Sequence, residues 1–141
     1  MRPDTLRAIA GGFVGTAVMT AMMYVVAPRI MGIEMDIATM LGSMMGGNWT
    51  AGLIAHFMLG TVVFPVTYAV VLFGRIPGAP AVRGVIWGLM LWLLAQVVVM
   101  PMMGGGFFSR AMGGMMAVMG SLMGHVAYGA LLGAIAGPAR R

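Results

Sequence analysis

Cysteine and lysine are both absent from this 141-residue chain, and acidic residues number only three. The lack of cysteine excludes disulfides, thiolate metal sites and cysteine nucleophiles. The carboxylates are Asp4, Glu34 and Asp36. All three fall outside the long apolar runs, so no membrane-buried acid is available for a proton or cation relay. Serine is confined to Ser43, Ser109 and Ser121, none of them in the setting of an activated serine nucleophile. No Walker-type loop occurs, and Gly104-Gly105-Gly106-Phe107-Phe108 is better read as the end of an apolar span. The eight basic residues are all arginine and are scattered along the chain. Without a basic run or interleaved aromatics, nucleic acid is not an expected partner. No catalytic constellation remains, and the expectation is a protein that is not an enzyme.

What the chain does have is apolar surface: 61% of residues are hydrophobic and 8% are charged. A soluble domain carries about 25% charged residues, so this composition is that of a membrane protein, with room for one domain over 1–141. Four stretches have the roughly 20 residues a helix needs to cross a bilayer: 8–27, 50–73, 82–103 and 115–137. They lack the alternation of barrel strands, so the expected fold class is an all-α membrane protein with four transmembrane helices. The first stretch is too long for a cleaved leader and no Ala-x-Ala site follows it. Placing the N-terminus in the cytoplasm puts Arg2, Arg7, Arg75, Arg83, Arg140 and Arg141 inside and only Arg29 and Arg110 outside. The positive-inside rule favours that arrangement, with both termini cytoplasmic. In the first outer connection Ile33, Ile37, Met40, Leu41 and Met44 recur at helical spacing, with Glu34, Thr39 and Ser43 between them. That pattern predicts a short amphipathic helix at the membrane interface, followed by Trp49 as an interfacial anchor.

The chain also repeats itself. A shift of 73 residues superposes Gly11 on Gly84, Gly15 on Gly88, Pro28 on Pro101 and Gly32 on Gly105, and a shift of 69 superposes His56 and Gly60 on His125 and Gly129. Repeat 1 covers about 8–73 and repeat 2 about 82–137. Each holds two spans, so both copies have the same orientation and a pseudo-two-fold axis along the membrane normal is expected. Gly11-xxx-Gly15, Gly84-xxx-Gly88, Gly120-xxx-Gly124 and Gly129-xxx-Gly133-xxx-Gly137 are small-residue faces that allow helices to pack closely in lipid, within the bundle or against other membrane-protein subunits.

His56 and His125 are the only two histidines, both inside apolar spans, where an ionisable side chain is a functional-site hypothesis by default. The repeat places them at equivalent depth, roughly 10–15 Å below the outer surface at 1.5 Å per helical residue. Three readings are open. The first is structural, with a neutral imidazole hydrogen-bonded across helices to Thr20, Tyr24, Gln96, Ser121 or Tyr128. The second is bis-histidine ligation of haem b, with Gly60 and Gly129 clearing room one turn after each ligand. The third is copper: Cu(I) favours thioether and imidazole, and the outer connections hold Met44, Met45, Met115 and Met116 among the 19 methionines. Methionine is also an ordinary apolar filler, so its abundance alone does not choose the third.

The run Met35-Asp36-Ile37-Ala38-Thr39-Met40-Leu41-Gly42, then His56-xxx-Gly60, and Leu122-Met123-Gly124-His125-Val126-Ala127-Tyr128-Gly129 resembles a family of small bacterial four-span membrane proteins of unknown function. That resemblance implies a bacterial inner-membrane location and a duplicated bundle, and it brings no activity. The sequence therefore reads as a non-catalytic accessory subunit of a larger membrane assembly, respiratory or photosynthetic. The haem b electron-transfer protein and the copper-handling protein are the alternatives.

Overall fold

Asp4 starts the first helix by accepting the N–H groups of Leu6 at 3.0 Å and Arg7 at 3.3 Å, two of the donors that a helix N-terminus leaves without an internal partner. The computed structural model describes residues 4–138; Arg2, Arg140 and Arg141 lie outside the described residues. All regular structure among these residues is helical. Four helices are long and apolar enough to cross a membrane: α1 (Thr5–Met31), α3 (Trp49–Leu72), α4 (Pro80–Met102) and α5 (Gly114–Ala136). The short α2 (Ile37–Ser43) lies in the first connection. The first span starts before residue 8 and runs past residue 27. Its polar cap and Arg7 do not register as apolar, and its proline does not stop it.

Prolines in the interior of three of the four long helices are each accommodated in the same way, whereas Pro80 opens α4, where no N–H is needed. Wider π turns, closed by i→i−5 bonds, occupy Met22–Val26 before Pro28, Leu59–Val63 before Pro65, and Ala95–Val99 before Pro101. Proline has no N–H and its ring presses on the preceding turn; widening that turn relieves the clash at the cost of one carbonyl left without its donor. The turns in α1 and α4 occur at the same place in the 73-residue register. The helix α5 contains no proline and runs unbroken for 23 residues.

The packing follows the glycines. A Cβ placed on Gly84 would strike the Gly129 carbonyl, one on Gly88 the His125 carbonyl, and one on Gly133 the Pro80 carbonyl. The α4–α5 contact is therefore backbone on backbone, and only glycine fits there. On the other side of α5, Gly11 lies against Leu132 and Ile135, and Gly15 against Tyr128. The helix α1 also packs on α3, where Gly12 meets Pro65 and Gly60 meets Thr16. Arg7 Nε donates to the Ile135 carbonyl at 3.0 Å, so the start of α1 and the end of α5 lie together at one end of the bundle.

The expected two-fold arrangement is broken at one interface. The helices pack in the order α3, α1, α5, α4. The repeats are joined tightly through α1 and α5, while α3 and α4 meet through long side chains: Phe64 edge-on to Trp87 at 6.4 Å between ring centroids, and the Arg83 guanidinium 5.0 Å over the Phe73 ring. In the 69-residue register, Gly133 of α5 corresponds to Phe64 of α3, and Gly137 to Tyr68. Where α5 offers α4 bare backbone at Gly133, α3 offers it the Phe64 ring, and α4 does not close on α3.

Candidate ligand site

The space left by that asymmetry is a cavity of about 420 Å³ in the half of the bundle nearest α2. Every long helix contributes to its wall: Thr16, Met19 and Met23 from α1, His56, Leu59, Gly60 and Phe64 from α3, Leu91, Gln96 and Met100 from α4, and Ala117, Ser121, His125 and Tyr128 from α5. The amphipathic α2 forms part of the wall through Ile37, Met40 and Leu41, with Glu34 at its edge. Its apolar face thus covers the site. Gly52 of α3 fits against the Ala38 carbonyl and the Gly42 amide nitrogen of α2, an approach that a Cβ would prevent.

Asp36 fixes that cover. Its carboxylate accepts Thr39 N–H at 3.0 Å, Thr39 Oγ1–H at 2.7 Å, the Tyr24 hydroxyl of α1, and Trp49 Nε1–H of α3 at 3.2 Å. One side chain thereby caps α2 and ties it to two spans. Desolvation would raise its pKa, but the hydrogen bonds from Tyr24, Thr39 and Trp49 outweigh it and hold the carboxyl at about 2. Trp49, expected as an interfacial anchor, is about half exposed and is also a partner of this carboxylate.

Both histidines line the cavity, and they are held differently. His56 Nε2 lies 3.0 Å from Thr20 Oγ1, and that hydroxyl donates to the Thr16 carbonyl at 2.6 Å. A hydroxyl has one proton, so Thr20 accepts from His56, and Nε2 carries the hydrogen. His125 Nδ1 lies 2.8 Å from the Ser121 carbonyl, which only accepts, so there Nδ1 carries the hydrogen. In a neutral imidazole the second nitrogen is then an acceptor. Nδ1 of His56 and Nε2 of His125 have no hydrogen-bond partner among the described residues, and neither is sealed by packing. Of the five partners expected for the pair, Thr20 and Ser121 fill that role. Tyr24 goes to Asp36, Gln96 to Ser109 and Tyr128 to Gly60.

Two further polar contacts stiffen the wall. Phe64 N–H reaches back to Leu59 and Pro65 has no N–H, so the Gly60 carbonyl lacks an intrahelical donor. The Tyr128 hydroxyl supplies one at 2.8 Å. Gln96, 1% exposed, accepts from Ser109 Oγ at 2.9 Å, which leaves its amide N–H groups free. Phe108 and Ser109 both adopt positive φ, 52° and 54°, a strained conformation for side chains of this kind. The strain turns the connection inward so that Ser109 reaches Gln96. Sequence reasoning named Gln96 and Tyr128 but missed these partners; the spacing of Gly60 to Pro65 was the available signal.

Gly60 and Gly129 serve contacts with Thr16 and Gly84. Met44, Met45, Met115 and Met116 are exposed and do not line the cavity; the thioethers that do include Met19, Met23, Met35, Met100 and Met112. Among the described residues no three of His, Cys, Asp and Glu cluster as a metal site. The arrangement offers two imidazole lone pairs, one amide donor and the Ser121 hydroxyl in an apolar, thioether-rich chamber. No curated protein and no solved structure shows significant similarity to the chain. The sequence matches a family over residues 3–140, and the chain belongs to that family, the family of unknown function DUF6789.

Proposed function

We propose that this protein is a non-catalytic component of the bacterial cytoplasmic membrane that holds one small ligand between His56 and His125, and that it works as an accessory subunit of a larger membrane assembly. The carrying observation is the chamber of about 420 Å³ walled by all four long helices and bearing both imidazoles. That volume lies within the about 300–1,000 Å³ of small-molecule sites. The orientation that goes with the proposal keeps Arg7, Arg75 and Arg83 in the cytoplasm and the chamber in the outer half of the bilayer. The inner glycine faces at Gly84, Gly88, Gly129 and Gly133 are occupied within the chain, so a partner would bind elsewhere.

Haem b is the second reading. His125 favours it, because an Nδ1–H bonded to a carbonyl is the tautomer that a metal-ligating histidine carries. His56 does not share that preparation, since its Nε2 is bonded to Thr20. Copper would draw on the thioethers inside the chamber rather than those of the outer connections.

The test is the composition of intact protein purified in mild detergent. Solvent extraction with mass spectrometry, an absorption spectrum and elemental analysis are read together. The proposal expects one small molecule near stoichiometry, lost in His56→Ala and His125→Ala variants that remain folded. A Soret band with a reducible α band would assign haem b, and stoichiometric copper the metal. Protein that carries nothing, with variants altered only in stability, would leave the histidines a structural role and overturn the proposal.

A further inference from the structure

The chamber's chemistry narrows the class of ligand, an inference that rests on the ligand-holding reading above. Its hydrogen-bonding groups are unevenly committed. The donors are largely spoken for: Thr16 Oγ1–H goes to the Gly12 carbonyl at 2.7 Å, Tyr128 to Gly60 and Ser109 to Gln96. What remains is two acceptors, His56 Nδ1 and His125 Nε2, with the Gln96 amide and the Ser121 hydroxyl as donors. Neither nitrogen is sealed by packing and both rings line the chamber, so a ligand there can supply the proton donor that each lone pair lacks.

Volume and charge limit the occupant. About 420 Å³ is far more than one ion needs and lies within the range of small-molecule sites. Among the described residues the only charged side chain on the wall is Glu34, exposed at the edge, so the body of the ligand is neutral. A second, smaller cleft of about 130 Å³ lies between α1 and α5, lined by Met22, Met31 and Met123, and it shares Met23 and Met35 with the chamber. Methionine side chains are flexible and apolar, so this shared wall can yield to a hydrophobic tail at membrane depth.

We infer that the chamber takes a neutral, lipid-soluble aromatic molecule with two hydroxyl groups, a quinol, and prefers it to the corresponding quinone. Each hydroxyl donates to one imidazole, and a hydroxyl oxygen accepts from Gln96. A quinone carries carbonyls in the same places; these only accept, so they leave both imidazole lone pairs without a donor.

The experiment uses the full chain in lipid nanodiscs under anaerobic conditions, titrated by calorimetry with a short-chain benzoquinol, its quinone, and an alkylphenol with one hydroxyl. The quinol is expected to bind about tenfold more tightly than the quinone, the effect of about one net hydrogen bond. His56→Ala and His125→Ala should each remove most of that preference. His56→Asn and His125→Gln, which return an acceptor oxygen near the original nitrogen, should restore part of it. Quinone binding as tight as quinol on the unaltered protein overturns the inference, whatever the variants do. If the alkylphenol binds and depends on both histidines while the quinol gains nothing over it, the ligand-holding reading survives and the quinol assignment fails. If no probe binds, both fail.

Discussion

The helices α3 and α5 carry the same His-xxx-Gly signature, yet they occupy opposite situations in the bundle. The helix α5 is straight, free of proline, and gripped on two sides by the glycine pairs of α1 and α4. By contrast α3 is interrupted by Pro65, widened into π turns, and fenced from α4 by Phe64. The difference lies in a few side chains at corresponding positions, above all Gly133 against Phe64. Glycine admits a neighbouring backbone and phenylalanine keeps it away. A duplicated sequence therefore gives an α4 that closes on α5, within its own repeat, and stands off from α3 across the repeats, and that gap becomes the chamber.

The strongest way to break that comparison is to give α5 the residue that α3 carries. Gly133→Phe would drive a ring into the Pro80 and Gly84 backbone, which cannot give way as a side chain can. The expected penalty is at or beyond the top of the about 1–3 kcal/mol of overpacked cores, seen as loss of the monodisperse peak in size-exclusion chromatography. A well-behaved Gly133→Phe protein would show that α4 and α5 do not pack this closely.

Next in size is Tyr128→Phe, which strips the Gly60 carbonyl of its donor at a cost of about 1–3 kcal/mol, measured by thermal unfolding in detergent. Pro65→Ala restores an N–H to α3, so the same change made in that background should cost clearly less. Equal penalties in both backgrounds would separate the tyrosine from the proline and sink the explanation. Asp36→Ala, which uncaps α2, should lower stability by about 1 kcal/mol. Because the folded pKa is depressed, the cap's contribution is complete above the ordinary carboxylate value of 3.8 and is lost as pH falls toward about 2. Unfolding followed from pH 5 to pH 2 should show the wild type converging on the variant.

How far this was legible in the sequence depends on the element. The four spans, the interfacial helix and the glycine faces follow from hydropathy and spacing, because burial in lipid and close packing impose those patterns directly. Apolar composition does not mark polar ends, so the first span was placed too short. The break in symmetry was harder to see, since the shift that matched His56 to His125 drew attention to the likenesses and away from Phe64 opposite Gly133. The site was legible as a pair of histidines at equal depth. The assignment of a proton to each ring was not, because it depends on Thr20 having already given its own proton to Thr16, a fact of geometry with no sequence pattern.

That proton assignment is where the two helices can be compared most directly. The chain has two histidines, so nitrogen-15 spectra of histidine-labelled protein in lipid bilayers hold two ring systems, separable by a His56→Asn control. Opposite neutral tautomers are expected, Nε2–H on His56 of α3 and Nδ1–H on His125 of α5. Two rings in the same tautomer would contradict that assignment.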